Sequence, residues 1–208
     1  MKELTLTQQY ILCTWKQDGK FPVFGREKLV CFSAAGVLAL DGKTLTVQSA
    51  LPETRAFLRP VYDLVQAKQP VKWETVVKYF SASFTGKRIQ AWLHLVGDSL
   101  AQEGCVQKTT GGFLGRACLY RPHPAAVDQV VGRIRAELLE AGTLSEEMVA
   151  LTALLNTSGD LRRYFSDSEK TALKKRLAQI RENPQNQMIQ KALAYMQAPL
   201  VPTIVAIS

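Results

Sequence analysis

Ile89, Trp92, Leu93, Val96 and Leu100 fall on a single stripe only if residues 87–102 are an α-helix. Thr85-Gly86 precedes this segment and Gly104 supplies its C-terminal stop. A stripe of such large apolar side chains has to be covered by other apolar surface. The chain must therefore fold as packed helices around a shared core.

Other segments follow the same pattern. Thr5-Leu6-Thr7-Gln8 has the form of a capping box, in which a Thr hydroxyl and a Gln three residues on satisfy each other's backbone amides. It predicts a helix from there to about Gln17, ended by Asp18-Gly19-Lys20, with Pro22 keeping the next residues extended. Residues 27–40 are almost all small or apolar and read as a central helix buried on most sides. Further helices are expected over 52–67, 71–80, 125–141, 145–157, 160–165, 168–182 and 185–197. Ser145-Glu146-Glu147-Met148 puts acids at a helix start but lacks the reciprocal acid of a full capping box.

The β component is small. Residues 43–48 alternate and predict one short strand. Residues 105–109 and 113–120, flanking Gly111-Gly112, predict a hairpin ended by Pro122 and Pro124. The expected fold is one mainly α, compact helical domain over residues 1–208 with a small β-hairpin component.

At 47% hydrophobic and 21% charged residues, the composition is that of a globular chain. No apolar run reaches the roughly 18 residues a membrane span needs, and the N-terminus lacks the apolar core of a signal peptide. The expected location is cytoplasmic. Cys13, Cys31, Cys105 and Cys118 are scattered, with only His94 and His123 beside them, so buried reduced thiols are expected and no metal or other cofactor is implied. The formal net charge of +8 favours polyanionic partners, phospholipid head groups or nucleic acid, and also serves solubility.

Several stretches together resemble the Golgi phosphoprotein 3 family. They are the opening Leu4-Thr5-Leu6-Thr7-Gln8-Gln9-Tyr10-Ile11-Leu12, then Val23-Phe24-Gly25-Arg26, and Ala34-Ala35-Gly36-Val37-Leu38-Ala39-Leu40-Asp41-Gly42-Lys43. The helix 87–102 running into Glu103-Gly104-Cys105-Val106, the hairpin strand 113–120, and Ala150-Leu151-Thr152-Ala153-Leu154-Leu155 with Leu161-Arg162-Arg163-Tyr164-Phe165 complete the match. Chain length is similar to that of a compact microbial-type member. The resemblance implies a helical core with surface hairpins and a non-enzymatic, peripheral lipid-binding role. Eukaryotic members bind phosphatidylinositol 4-phosphate in a pocket of one aromatic residue and several arginines, and act as adaptors at Golgi membranes.

The matching aromatic is Phe24. The matching arginine positions fall at about Cys31 to Ser33 and near Gln90 and Leu93, and none of these is basic. A guanidinium fork bonds phosphate bidentately and Gln or Leu does not replace it. Arg26, Lys28, Lys87 and Arg88 lie within a few residues and are the candidate lipid-binding cations together with Phe24. Phe24 is either a residue dipping into a head-group layer or a core Phe with solvated neighbours. Lys87 and Arg88 are either anion ligands at a helix N-terminus or an ordinary solvated first turn. Phe113 and Leu114, beside the hairpin glycines, are candidates for membrane insertion or contact with another subunit. The partners expected are an anionic phospholipid surface and a protein client or second copy of the chain.

Catalysis finds little support. His94 lies beside the apolar stripe with no nucleophile at a recognisable spacing, and Gly111-Gly112 and Gly115-Arg116 lack the Lys-Ser/Thr of a phosphate loop. The segment 87–120 has the helix–strand–strand order of a winged-helix DNA-binding module, one alternative reading; the other is a protein-interaction adaptor without lipid binding. The segment's helix offers few polar side chains for base edges, and its hairpin only Lys108 and Arg116 for phosphates.

Overall fold

The computed structural model describes residues 3–22, 26–34, 38–41, 44–82, 86–111, 117–140 and 144–182. Helix α1 (Leu6–Thr14) is the hub, with Thr7 to Thr14 all buried. Its capping box forms as the sequence requires: the Gln8 amide donates to the Thr5 hydroxyl and the Thr5 amide to Gln8 Oε1 at 3.0 Å. The polar residues of this buried helix are used to tie it to its surroundings. Thr7 Oγ1 donates to the Ser33 carbonyl at 2.9 Å, Gln8 Nε2 to Ser99 Oγ at 3.2 Å, and Gln9 Nε2 to the Leu4 carbonyl at 2.6 Å. Around it pack α2 (Glu27–Ser33), α5 (Lys87–Gln102), α6 (Pro124–Ile134) and α7 (Glu146–Ser158).

The central helix expected over 27–40 is a correction. Among the described residues of this stretch, Glu27–Ser33 form α2 and Leu38–Asp41 is strand β1, paired antiparallel with β2 (Thr44–Val47). A run of small and apolar residues has no period that separates strand from helix, and here the neighbouring strand supplies the hydrogen bonds. A second correction follows from the same sheet. Val71–Lys72, expected to open a helix, forms β3 on the other edge of β2, and α4 (Trp73–Ser81) begins only at Trp73. The expected helix over 52–67 divides into a 3-10 segment (Glu53–Leu58) and α3 (Arg59–Lys68), with Pro60 in the first turn of α3. Helix α1 stops at Thr14, short of Gln17, because Trp15 leaves the helical region at ψ 140°.

Residues 87–102 form α5 with the predicted bounds, and Ile89, Trp92, Leu93, Val96 and Leu100 are all buried. The hairpin is β4 (Val106–Gly111) with β5 (Ala117–Pro122). Pro122 is its last paired residue, opposite Val106, and is not a terminator outside it. Helix α6 runs into a π turn (Arg135–Leu139), then come α7, a 3-10 turn (Asp160–Arg163) and α8 (Asp167–Glu182). The helix expected over 185–197 lies outside the described residues. Cys13, Cys31 and Cys105 are buried and Cys118 is half-buried, all as free thiols. Burial pushes the Cys13 thiol up to about 12.

Helix α7 finds the acid its own sequence lacks. The Ser145 hydroxyl accepts from the Met148 amide, and the reciprocal carboxylate is Glu137 of the π turn, which accepts from the Ser145 amide at 2.9 Å and hydroxyl at 2.6 Å. Helix α1 has no basic residue in its last turn. Its terminal carbonyls are met from the far end of the chain. Arg163 donates to the carbonyls of Cys13 at 3.1 Å, Thr14 at 3.0 Å and Trp15 at 2.8 Å, and the Tyr164 hydroxyl donates to Cys13.

Replacing Arg163 by Ala leaves these carbonyls without a charged donor and is expected to cost about 2–4 kcal/mol, since charge-assisted bonds are each worth about 1.5–3 kcal/mol net. Tyr164→Phe is expected to cost about 1 kcal/mol. Urea denaturation of both variants measures this, and equal small losses would refute the assignment. A second expectation concerns pH. Hydrogen bonds from Arg135 and then Ser166 pull Glu169 from 4.5 down to about 2. Its contribution to stability is thus complete above pH 4.5 and disappears as the pH falls through about 2. The difference in thermal midpoint between the natural chain and Glu169→Gln should shrink over that window.

Candidate functional site

A cleft of about 440 Å³ opens between α5, the hairpin and the loop after α1. Trp15, Phe21, Leu93 and Leu119 provide its apolar walls, and Lys20, Gln90, His94, Asp98, Lys108 and Tyr120 its polar groups. Each wall has a local cause. Trp15 is set by the end of α1, hence by Arg163, and packs against Tyr120 with ring centroids 4.9 Å apart and edge-on to Phe21 at 6.0 Å. The loop carrying Lys20 and Phe21 turns at Gly19, which has φ +80°. A side chain there would be strained, and its Cβ would lie 2.8 Å from the Leu119 Cβ. The Gly19 carbonyl accepts from the Tyr120 amide at 3.2 Å, fixing the loop to β5.

The polar end of the cleft is a connected group. The Tyr120 hydroxyl donates to Asp98 Oδ1 at 2.7 Å, Lys108 Nζ lies 2.6 Å from the same oxygen, and His94 Nδ1 lies 3.4 Å from the Tyr120 hydroxyl. Burial alone would raise the Asp98 carboxyl, but the bonds from Lys108 and Tyr120 outweigh it and hold the group below its ordinary value. The same pairing raises Lys108. Burial, then the Asp98 bond, pushes the Tyr120 phenol up. Asp98 and Lys108 thus face the cleft as a mutually neutralised pair. Lys20, whose backbone amide bonds Asp18 Oδ1 at 2.9 Å, has an exposed side chain and no ion-pair partner among the described residues.

The residues singled out from sequence are dispersed. Arg26 forms an ion pair with Asp160 and donates to the Ser158 carbonyl at 3.2 Å, with its side chain 18% and that of Asp160 7% exposed. This is an interior bond of the fold. Arg88 donates to the Tyr79 carbonyl at 3.0 Å and stacks 4.3 Å over the Tyr79 ring, on the outside of α5. Lys87 is exposed in the first turn of α5, three residues before Gln90, and does not line the cleft. Phe24, Phe113, Leu114 and the side chain of Lys28 lie outside what the structure describes. Of the positions matched to the family's arginines, Cys31, Phe32 and Ser33 are buried in the core, whereas Gln90 and Leu93 line the cleft.

Sequence reasoning did not pick out Lys20, Phe21, Asp98 or Tyr120, and named Lys108 only as a phosphate contact of the winged-helix alternative. The available signal was the opposite charge of Asp98 and Lys108 on either side of the Gly104 turn. Gly97, at its closest approach to β5, has no Cβ, and one built there would lie 2.6 Å from the Tyr120 ring.

The described fold is a mainly α protein with a lateral cleft that mixes aromatic and polar walls, and none of its described helices is long and apolar enough to cross a membrane. Residues 33–196 match the family model of Golgi phosphoprotein 3 (GPP34), and the chain belongs to that family. No curated protein matches the chain. The matched span supplies α5 and the hairpin side of the cleft, while Trp15, Gly19, Lys20 and Phe21 precede it.

Gly97→Ala is expected to destabilise the fold by about 1–3 kcal/mol through overpacking against Tyr120. In a Tyr120→Ala background the same change should be neutral or stabilising, because only the helix preference for Ala over Gly, about 0.5–1 kcal/mol, remains. Denaturation of the four proteins measures the coupling.

Proposed function

We propose that this chain is a non-enzymatic, peripheral membrane protein that holds the head group of an anionic lipid in the cleft beside α5. The observation that carries the reading is the position of Gln90 and Leu93. Both are matched by the family resemblance to its head-group site, and both line one cleft of head-group size. Lys87 stands one turn before Gln90 at the start of α5, outside the cleft lining, and the net charge of +8 favours approach to an anionic surface.

A binding role fits the electrostatics better than a catalytic one. Asp98, the carboxylate that lines the cleft, is held ionised by two donors, which makes it a poor proton donor and a weak base. The phenol beside it is shifted away from neutrality. The nucleic-acid alternative is less favoured, since Trp92, Leu93 and Val96 of α5 are buried in the core and do not reach base edges.

Co-sedimentation with vesicles of phosphatidylcholine, with and without phosphatidylserine, tests the reading at low and physiological salt. The protein is expected to pellet with the anionic vesicles only, more strongly at low salt. Each basic side chain near such a surface contributes about 1 kcal/mol, so Lys87→Ala with Arg88→Ala should weaken binding roughly thirty-fold. No pelleting at low salt would overturn the reading.

A further inference from the structure

We infer that the cleft is built for a head group carrying a single negative charge and free hydroxyls, such as that of a phosphodiester polyol lipid, and not for a phosphomonoester. This deepens the peripheral-membrane reading of the same cleft and rests on it.

The inference follows from the charge and hydrogen-bonding character of the walls. Among the described residues that line the cleft, the Lys, Arg, Asp and Glu side chains are Lys20, Lys108 and Asp98. Lys108 is spent on Asp98 at 2.6 Å, so the excess is one positive charge, on the exposed Lys20. A phosphomonoester brings about −1.5 to −2 charges and three strong acceptors. Here it would meet a net charge of one positive unit from the described lining and would sit beside the Asp98 carboxylate, whose repulsion disfavours it. A phosphodiester brings one charge and matches Lys20.

The remaining polar groups ask for hydroxyls. Gln90 offers both a donor and an acceptor, and Asp98 offers acceptors. Phosphate oxygens only accept, whereas a hydroxyl both donates and accepts and so can satisfy either residue. The apolar walls of Trp15, Phe21 and Leu119 suit the carbon skeleton of a polyol. The same chemistry occurs in a soluble glycerophosphodiester, so the source of the ligand is part of the test.

Vesicles of phosphatidylcholine carrying equal fractions of phosphatidylinositol, phosphatidylglycerol, phosphatidylserine or phosphatidylinositol 4-phosphate are titrated with the full chain at physiological salt. Expected is binding to phosphatidylinositol and phosphatidylglycerol at least three-fold tighter than to phosphatidylserine, with no gain for the 4-phosphate. Asp98→Asn frees Lys108 and raises the cleft charge by one, so the ratio of 4-phosphate to phosphatidylinositol affinity should rise about five- to ten-fold. Gln90→Arg, at an exposed position that leaves the core untouched, should move the ratio the same way. Glycerophosphoinositol at millimolar concentration should displace the protein from vesicles if the head group alone is read. Failure to displace while the lipid preference holds would assign recognition to the head group in its bilayer, which also supports the inference.

A natural chain that prefers the 4-phosphate ten-fold or more would overturn the inference, as would ratios that neither variant changes. Equal binding to all anionic vesicles would overturn it while leaving peripheral association intact. Absence of binding to any of them, even at low salt, would remove both.

Discussion

The structure depends on how α1 ends. A helix buried along its whole length leaves its last carbonyls in the interior, where unpaired acceptors are costly. This chain places no cation in that last turn and provides Arg163 and Tyr164 from the other end of the sequence. The 3-10 turn that carries Arg163 is itself anchored, because Asp160 at its start pairs with Arg26 and accepts from the Ser158 hydroxyl at 2.6 Å. A buried pair of this kind is sensitive to loss of either partner, since the other is then left as an uncompensated charge. Arg26, a candidate membrane contact by its position in the sequence, serves the interior of the fold.

The cleft inherits its geometry from that arrangement. Arg163 fixes the Trp15 carbonyl, Trp15 packs on Tyr120, and Tyr120 is pressed against Gly97 and bonded to Asp98. A continuous set of contacts therefore runs from the α1 terminus to the polar end of the cleft. The aromatic side of the site is a product of core packing. Its ionic character is set, among the described lining residues, by Lys20, Asp98 and Lys108, of which the last two cancel. Shape and charge of the cleft can thus vary independently, the first through the core and the second through Lys20, Asp98 and Lys108.

Much of the fold was legible in the sequence because its signals are local. The Thr5–Gln8 capping box and the stripe from Ile89 to Leu100 each specify a helix without reference to any other segment. Readings failed where a distant partner decides the outcome. Leu38–Asp41 is a strand because β2 lies beside it, and Val71–Lys72 because it pairs with the opposite edge. The site was less legible for the same reason. Gln90 and Leu93 were marked by resemblance, but Lys20 reaches the cleft through the Gly19 turn and Lys108 through the hairpin register. Arg26 illustrates the converse, since no local pattern announces a partner as remote as Asp160.

The separation between α1 and its cap also has a bearing on the order of events during synthesis. Cys13 and Arg163 are 150 residues apart. Helix α1 therefore waits for about 150 further residues to be made before its final carbonyls are satisfied. Until then α1 is a short segment of nine residues, below the length at which a helix holds in water on its own. A nascent chain stalled before Arg163 would carry this segment with its C-terminal carbonyls unmet by the guanidinium, so that α1 is completed only once the 3-10 turn that bears Arg163 has been made.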